Sequence, residues 1–162
     1  MVHLGWFVLC ERASFDLDTN AVSLIDCVEQ LVAVSFPATI HRLVCAAYLF
    51  RDEASSGHAE PVRVVVEPPG RPEVCLLEGE AVFDEGNKRS RVRFVLDLFQ
   101  FKTHGQYHFR LDFGGPKGWR PAARLPVDLV AAEVETPEVL PTSPPRAEAL
   151  PRRKGGRRGS RG

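Results

Sequence analysis

The segment RSRVRFVLDLFQF, residues 89–101, alternates in character: Val92, Phe94, Leu96 and Leu98 fall on one parity, Arg89, Arg91, Arg93 and Asp97 on the other. A period of two marks a strand with one face in a core and the other against water. A helix does not fit it, because a helical face repeats every 3.6 residues or about so. The pattern recurs along the chain. In HGQYHFRLDF, Tyr107, Phe109, Leu111 and Phe113 share a face. In VHLGWFVLC, Val2, Leu4, Trp6, Val8 and Cys10 do so, and the other parity is also fairly apolar, which suits a central strand. FDLDTNAVSLID reads as strand, turn, strand about Asp18, Thr19 and Asn20, whose short polar side chains bond nearby amides. PVRVVVE and ARLPVDLVA are further strands, and the prolines of EPPGRP confine that stretch to a turn.

Three segments leave alternatives open. CVEQLVAVSFP is a strand or a short helix, ended by Pro37. TIHRLVCAAYLF is a long strand or, through its alanines, a helix. EVCLLEGEAVF is one strand or two, with Gly79 a candidate bulge. About eight strands joined by short polar turns predict an all-β, two-sheet antiparallel sandwich over residues 1–133. Residues 134–162 are expected to form a disordered tail, first rich in proline and then in Arg and Gly.

The net charge near zero over 162 residues hides a division. From Arg146 onward, seven basic residues face one acid, and residues 1–145 carry the compensating acidic excess. The apolar start is too short for a membrane span, which needs about eighteen apolar residues. It lacks a basic n-region, so it is expected to be a first strand rather than a cleaved leader. Cys10, Cys27, Cys45 and Cys75 form no CxxC pair and sit among apolar neighbours. They are expected to be free thiols in a reducing, cytoplasmic setting, with no structural zinc.

Several segments together, GWFVLCERASFDLDTNAVSLIDCVEQLVAVSFPATI, VRVVVEPPGRP and HGQYHFRLDFGG, resemble a family of small uncharacterised bacterial domains. The matching positions are the apolar opening strand ending near Cys10, the Phe36-Pro37 pair, and Gly105, Tyr107, Phe109 and Leu111. The resemblance covers roughly residues 5–131 and leaves the basic tail outside. It implies an immunoglobulin-like or C2-like β-sandwich, a cytoplasmic location and a bacterial or phage origin, and it implies no catalytic residues.

Candidate chemistry is sparse. Asp16, Asp18 and Asn20 match the first ligand positions of an EF-hand loop, but Ala21 and Cys27 stand where Gly and Glu are needed. A looser calcium site would draw on Asp52, Glu53 and Asp84. His104 and His108 lie four apart in a strand context, too distant for the close pair that a helix makes. Glu78 and Glu80 share a strand face without the cleft that paired carboxylates need. GGPKG precedes a strand and reads as a hairpin turn, not a phosphate loop. No nucleophile elbow is present. No catalytic residue, metal or cofactor is assigned.

Two basic features remain as candidate polyanion contacts. Arg89, Arg91 and Arg93 project from one strand face, where they would meet either phosphates or cross-strand carboxylates. Arg152, Arg153, Lys154, Arg157, Arg158 and Arg161 crowd the glycine-spaced end, suited to weak, salt-sensitive contact with nucleic acid. The leading expectation is a non-catalytic module that binds another protein or scaffolds an assembly, with Trp6, Phe7, Phe101 and Trp119 as candidate contacts. The alternative is a nucleic-acid-associated accessory protein, and an enzyme is a distant third.

Overall fold

The computed structural model describes residues 1–16, 18–19, 21–52 and 58–132. The strands are β1 (Val2–Phe15), β2 (Val22–Cys27), β3 (Gln30–Ala33), β4 (Ala38–Arg51), β5 (His58–Glu67), β6 (Val74–Phe83), β7 (Arg89–Phe101), β8 (Gly105–Phe113) and β9 (Arg120–Ala131). Both segments that left helix open are strands, β3 and β4, and EVCLLEGEAVF is the single strand β6. The fold is all-β, as the alternation predicts.

The strands form two sheets, the first ordered β2-β1-β4-β7 and the second β3-β9-β8-β5-β6. All pairings are antiparallel but one: β3 runs parallel to β9, with Gln30 opposite Asp128 and Ala33 opposite Ala131. The expectation of a purely antiparallel structure is corrected there. The cause is a short crossover. After β2 the chain passes to the other sheet through Val28 and Glu29. The Val28 amide donates to the Leu9 carbonyl of the first sheet, and the Asp128 amide donates to Glu29 in the second. The chain thus lands beside β9 already running in its direction.

One apolar core lies between the sheets. Phe7, Leu9, Leu43, Cys45, Leu49, Val92 and Leu96 from the first meet Val62, Val64, Phe83, Phe109, Leu111 and Val127 from the second. Burying each Val, Leu or Phe side chain there contributes about 1.5–3 kcal/mol. Phe99, Phe101, Phe109 and Tyr107 pack in edge-on and tilted pairs at one end, with centroids 4.8–6.5 Å apart. At the other end the buried Arg51 lies over the Phe83 ring and donates to the carbonyls of Asn87 and Asp84, pinning the β6–β7 turn.

The alternation is interrupted in the first sheet. In β1 the register shifts between Leu4 and Trp6. Val2 and Leu4 therefore pack on the core while Trp6, Val8 and Cys10 face outward, which divides the face that the sequence pattern unites. Gly5 marks the shift, because a Cβ there would run into the Tyr48 ring. In β7, Leu98 has φ +56° and is 65% exposed, so it leaves the core face assigned to it by parity. Phe99 and Phe101 take the inward positions instead. Asp26 in β2 has a similar φ of +54°. Opposite these two residues, Glu11 and His41 drop out of the β1–β2 and β4–β7 ladders. Gly79 is not a bulge: β6 is regular at that point, and the Phe94 ring from the opposite sheet leans on the space a side chain would fill.

Candidate interaction surfaces

Among the described residues, the two outer faces of the sheets carry most of the charged and aromatic side chains that meet across strands. On the second sheet, Arg63 and Glu67 of β5, Arg110 and Asp112 of β8 and Arg124 of β9 project outward by parity and meet Glu73 from the β5–β6 turn. Asp112 is fully buried. Its carboxylate accepts from Arg63 Nε at 2.9 Å and from Arg110 Nε and Nη2 at 2.7 and 3.2 Å. Arg110 Nη1 also reaches Glu67 at 2.8 Å and Glu73 at 2.7 Å, and Arg124 donates to Glu67 at 2.7 Å. Asp112 and the other acids hold the Arg110 guanidinium charged well beyond its ordinary range. Arg124 and then Arg110 hold the Glu67 carboxyl below its ordinary value, against the opposing effect of partial burial. Trp119 covers Arg63, whose guanidinium carbon lies 4.6 Å from the ring centroid. Three cations and three carboxylates neutralise one another, so this network fastens the sheet's outer face.

The outer face of the first sheet differs. Across β1 and β4, His3 stacks on Phe50 at 5.2 Å, Phe50 on Tyr48 at 6.2 Å and Tyr48 on Trp6 at 6.1 Å. All four rings are at least partly exposed. Beside them on β7, register places Arg89 opposite Phe50, Arg91 opposite Tyr48 and Arg93 opposite Ala46. The three arginines thus share a face as their spacing predicts, but they flank an aromatic row, which the sequence reading missed. Arg93 spans the sheet and donates to the Ala13 carbonyl at 3.1 Å, covering Val44 and Ala46 on the way. Further along, Arg12, Arg42 and Arg93 wall an open depression of about 410 Å³ floored by Ala13, Val44 and Val95. Arg42 pairs with Asp97 at 3.3 Å.

The other singled-out residues are scattered. Phe7 and Phe101 are core, whereas Trp6 and Trp119 are half-exposed on opposite outer faces. Asp16 Oδ1 accepts from the amides of Asp18 and Thr19, making the turn, and these bonds hold its carboxyl below the ordinary range. Asp52 accepts from His3. Asn20 and Glu53 lie outside the described residues, as do Arg152, Arg153, Lys154, Arg157, Arg158 and Arg161. His104 packs edge-on against Phe36, before β8, while His108 sits opposite Glu67 and Pro126 within the sheet. Glu78 accepts from Cys75, and the GGPKG turn closes with Gly118 donating to Gly115. Among the described residues, no three His, Cys, Asp or Glu side chains gather as a metal would need. No helix among them is long and apolar enough to cross a membrane.

The model of a family of unknown function, DUF6941, matches residues 5–126. The chain belongs to that family. The DUF6941 match runs from the bulge at Gly5 to Pro126 within β9, so it takes in most of both sheets and leaves out His3, Val127 and Leu129. No curated protein matches the chain. Solved structures similar to this DUF6941 chain include the C-terminal domain of wzt, at 9% identity over 82% of this chain and 75% of that one, with a TM-score of 0.44. They also include the PmoD soluble domain from Methylocystis sp. ATCC 49242 (Rockwell), at 12% identity over 80% of this chain and 90% of that one, with a TM-score of 0.33.

Proposed function

We propose that this chain is a non-catalytic cytoplasmic module that binds another protein through the outer face of its first sheet. We read its frame as a β-sandwich of the immunoglobulin or C2 kind. Two sheets sharing one core, with a strand crossover between them, support that frame. The binding reading rests on one observation: the row His3, Phe50, Tyr48 and Trp6 lies exposed beside Arg89, Arg91 and Arg93. Aromatic side chains and arginine are the types that anchor protein interfaces, because rigid rings bury large area and guanidinium groups pair with carboxylates. Arginines at such a surface select a partner with an acidic patch. On the opposite face the charges are already matched within the sheet, which supports a structural role there.

The test is site-specific photo-crosslinking in the native cell. A photoreactive residue at Phe50 should give a discrete adduct, and one at Glu80, on the second sheet, should not. Arg89→Glu combined with Trp6→Ala should remove the Phe50 adduct while the sheet spectrum persists. Equal adducts from both faces, or an adduct indifferent to the double substitution, would refute the reading.

A further inference from the structure

A second, chemically distinct site opens at the flank where β6 and β7, the edge strands of the two sheets, approach each other. A depression of about 370 Å³ lies between the β5–β6 turn and the end of β7. Val66, Leu76, Phe99 and Tyr107 line it from the core side, with Pro68, Pro72 and Val74 closer to the turn. The Tyr107 hydroxyl is already engaged, accepting from the Thr103 amide and donating to the Thr103 carbonyl. Phe99 reaches this depression from the core side, following the left-handed backbone at Leu98.

Two cations line the same depression, Arg71 and Lys102. Both are exposed, and neither forms an ion pair among the described residues. Arg71 is held on a rigid frame. Pro68, Pro69, Gly70 and Arg71 make a turn closed by the Arg71 amide on the Pro68 carbonyl, with Gly70 at φ +64°. Pro69 in turn rests against Gly105, where an added Cβ would come within 3.1 Å of its ring. Proline, a positive-φ glycine and a close backbone approach fix the turn before any ligand arrives, which lowers the entropic cost of binding. Val74 leaves its apolar side chain 51% exposed at the same rim.

An apolar floor with a few convergent polar groups is the usual make-up of a small-molecule site. We infer that this depression binds a small amphiphilic carboxylate, its chain or ring on Val66, Leu76, Phe99 and Tyr107 and its anionic head between Arg71 and Lys102. The guanidinium suits a carboxylate because its fork of donors matches the two oxygens. The head stays at the solvent edge, so charge supplies selectivity and the floor supplies most of the affinity.

The test is a titration of the full ¹⁵N-labelled chain with octanoate, octanol and acetate, followed by amide shifts. Octanoate should shift residues 66–76 and 99–107 saturably, octanol should shift the same residues more weakly, and acetate should shift none. Arg71→Ala with Lys102→Ala should weaken octanoate by roughly three- to tenfold and leave octanol unchanged. Val74→Glu, at an exposed position that spares the core, should also weaken octanoate by repelling its head. Octanoate shifts centred on Trp6 to Phe50, shifts that do not saturate, unchanged affinity in the double variant, or no shifts at millimolar octanoate would each overturn the assignment.

Discussion

Replacing Asp112 by alanine tests whether the charge network holds the second sheet together. The carboxylate is enclosed and accepts three hydrogen bonds from two guanidinium groups that are themselves largely covered, with 19% of the Arg63 side chain and 14% of the Arg110 side chain exposed. Removing one partner of a buried ion pair costs about 3–5 kcal/mol, because the charge left behind has lost its solvent without compensation. Here the loss is smaller, since Arg110 keeps Glu67 and Glu73 and Arg63 keeps Trp119. We expect Asp112→Ala to cost roughly 2–4 kcal/mol, a fall in Tm on the order of 10 °C for a domain of this size. Asp112→Asn keeps the shape and removes the charge, and should fall between. Urea unfolding followed by tryptophan emission measures it, with Trp119 reporting locally through Arg63. A double-mutant cycle with Arg110→Met should give a coupling above about 1 kcal/mol. Asp112→Ala within about 0.5 kcal/mol of the parent, the range of ordinary surface changes, would refute the argument.

Burial pushes the Cys45 thiol up to about 12, with nearby Cys10 adding to the effect, so Cys45 should resist a thiol reagent until the chain is denatured. Exposed Cys27 should react first, and Cys75 more slowly, because partial burial and Glu78 raise its pKa; all four should count as free thiols after denaturation. The Glu67 carboxyl is lowered from its ordinary 4.5 by Arg124 and Arg110, so its stabilising effect is whole above that value and fades as the pH falls below it. Glu67→Gln should therefore flatten the acid limb of stability against pH, measured by urea midpoints, and leave the slope near neutrality unchanged. Deleting residues 146–162 removes seven basic residues and one acid. If the chain contacts DNA through phosphates, anisotropy should lose most of its salt-dependent binding in the truncated form, whose sheet circular dichroism should be unchanged.

Regular alternation made β8 legible in full: Tyr107, Phe109, Leu111 and Phe113 are all buried on one face. The same reading misplaced Leu98, because a single left-handed residue reverses parity without any mark in composition. The break in β1 did carry a mark, an isolated Gly5 in a strand, whose meaning depended on Tyr48 across the sheet. The charged residues show the same limit. Arg89, Arg91 and Arg93 are neighbours in sequence and so drew notice. Arg63, Asp112 and Arg110 meet through strand pairing at a separation of 49 residues for the first two. The local clue was Arg110 and Asp112 on the parity opposite the core. The aromatic row was hidden likewise, since His3 and Trp6 become outward neighbours only through the bulge between them.

The parallel pairing of β3 with β9 also sets a timetable. Its partners stand roughly a hundred residues apart, and β3 borders no other strand in its sheet. As the chain leaves the ribosome, β1 can find β2 and then β4, yet β3 has no place to dock until β9 has been made and laid against β8. β9 thus secures a strand made roughly a hundred residues earlier. The second sheet cannot be completed from the N-terminal end, because a nascent chain stopped before Arg120 lacks the strand with which Leu31 pairs.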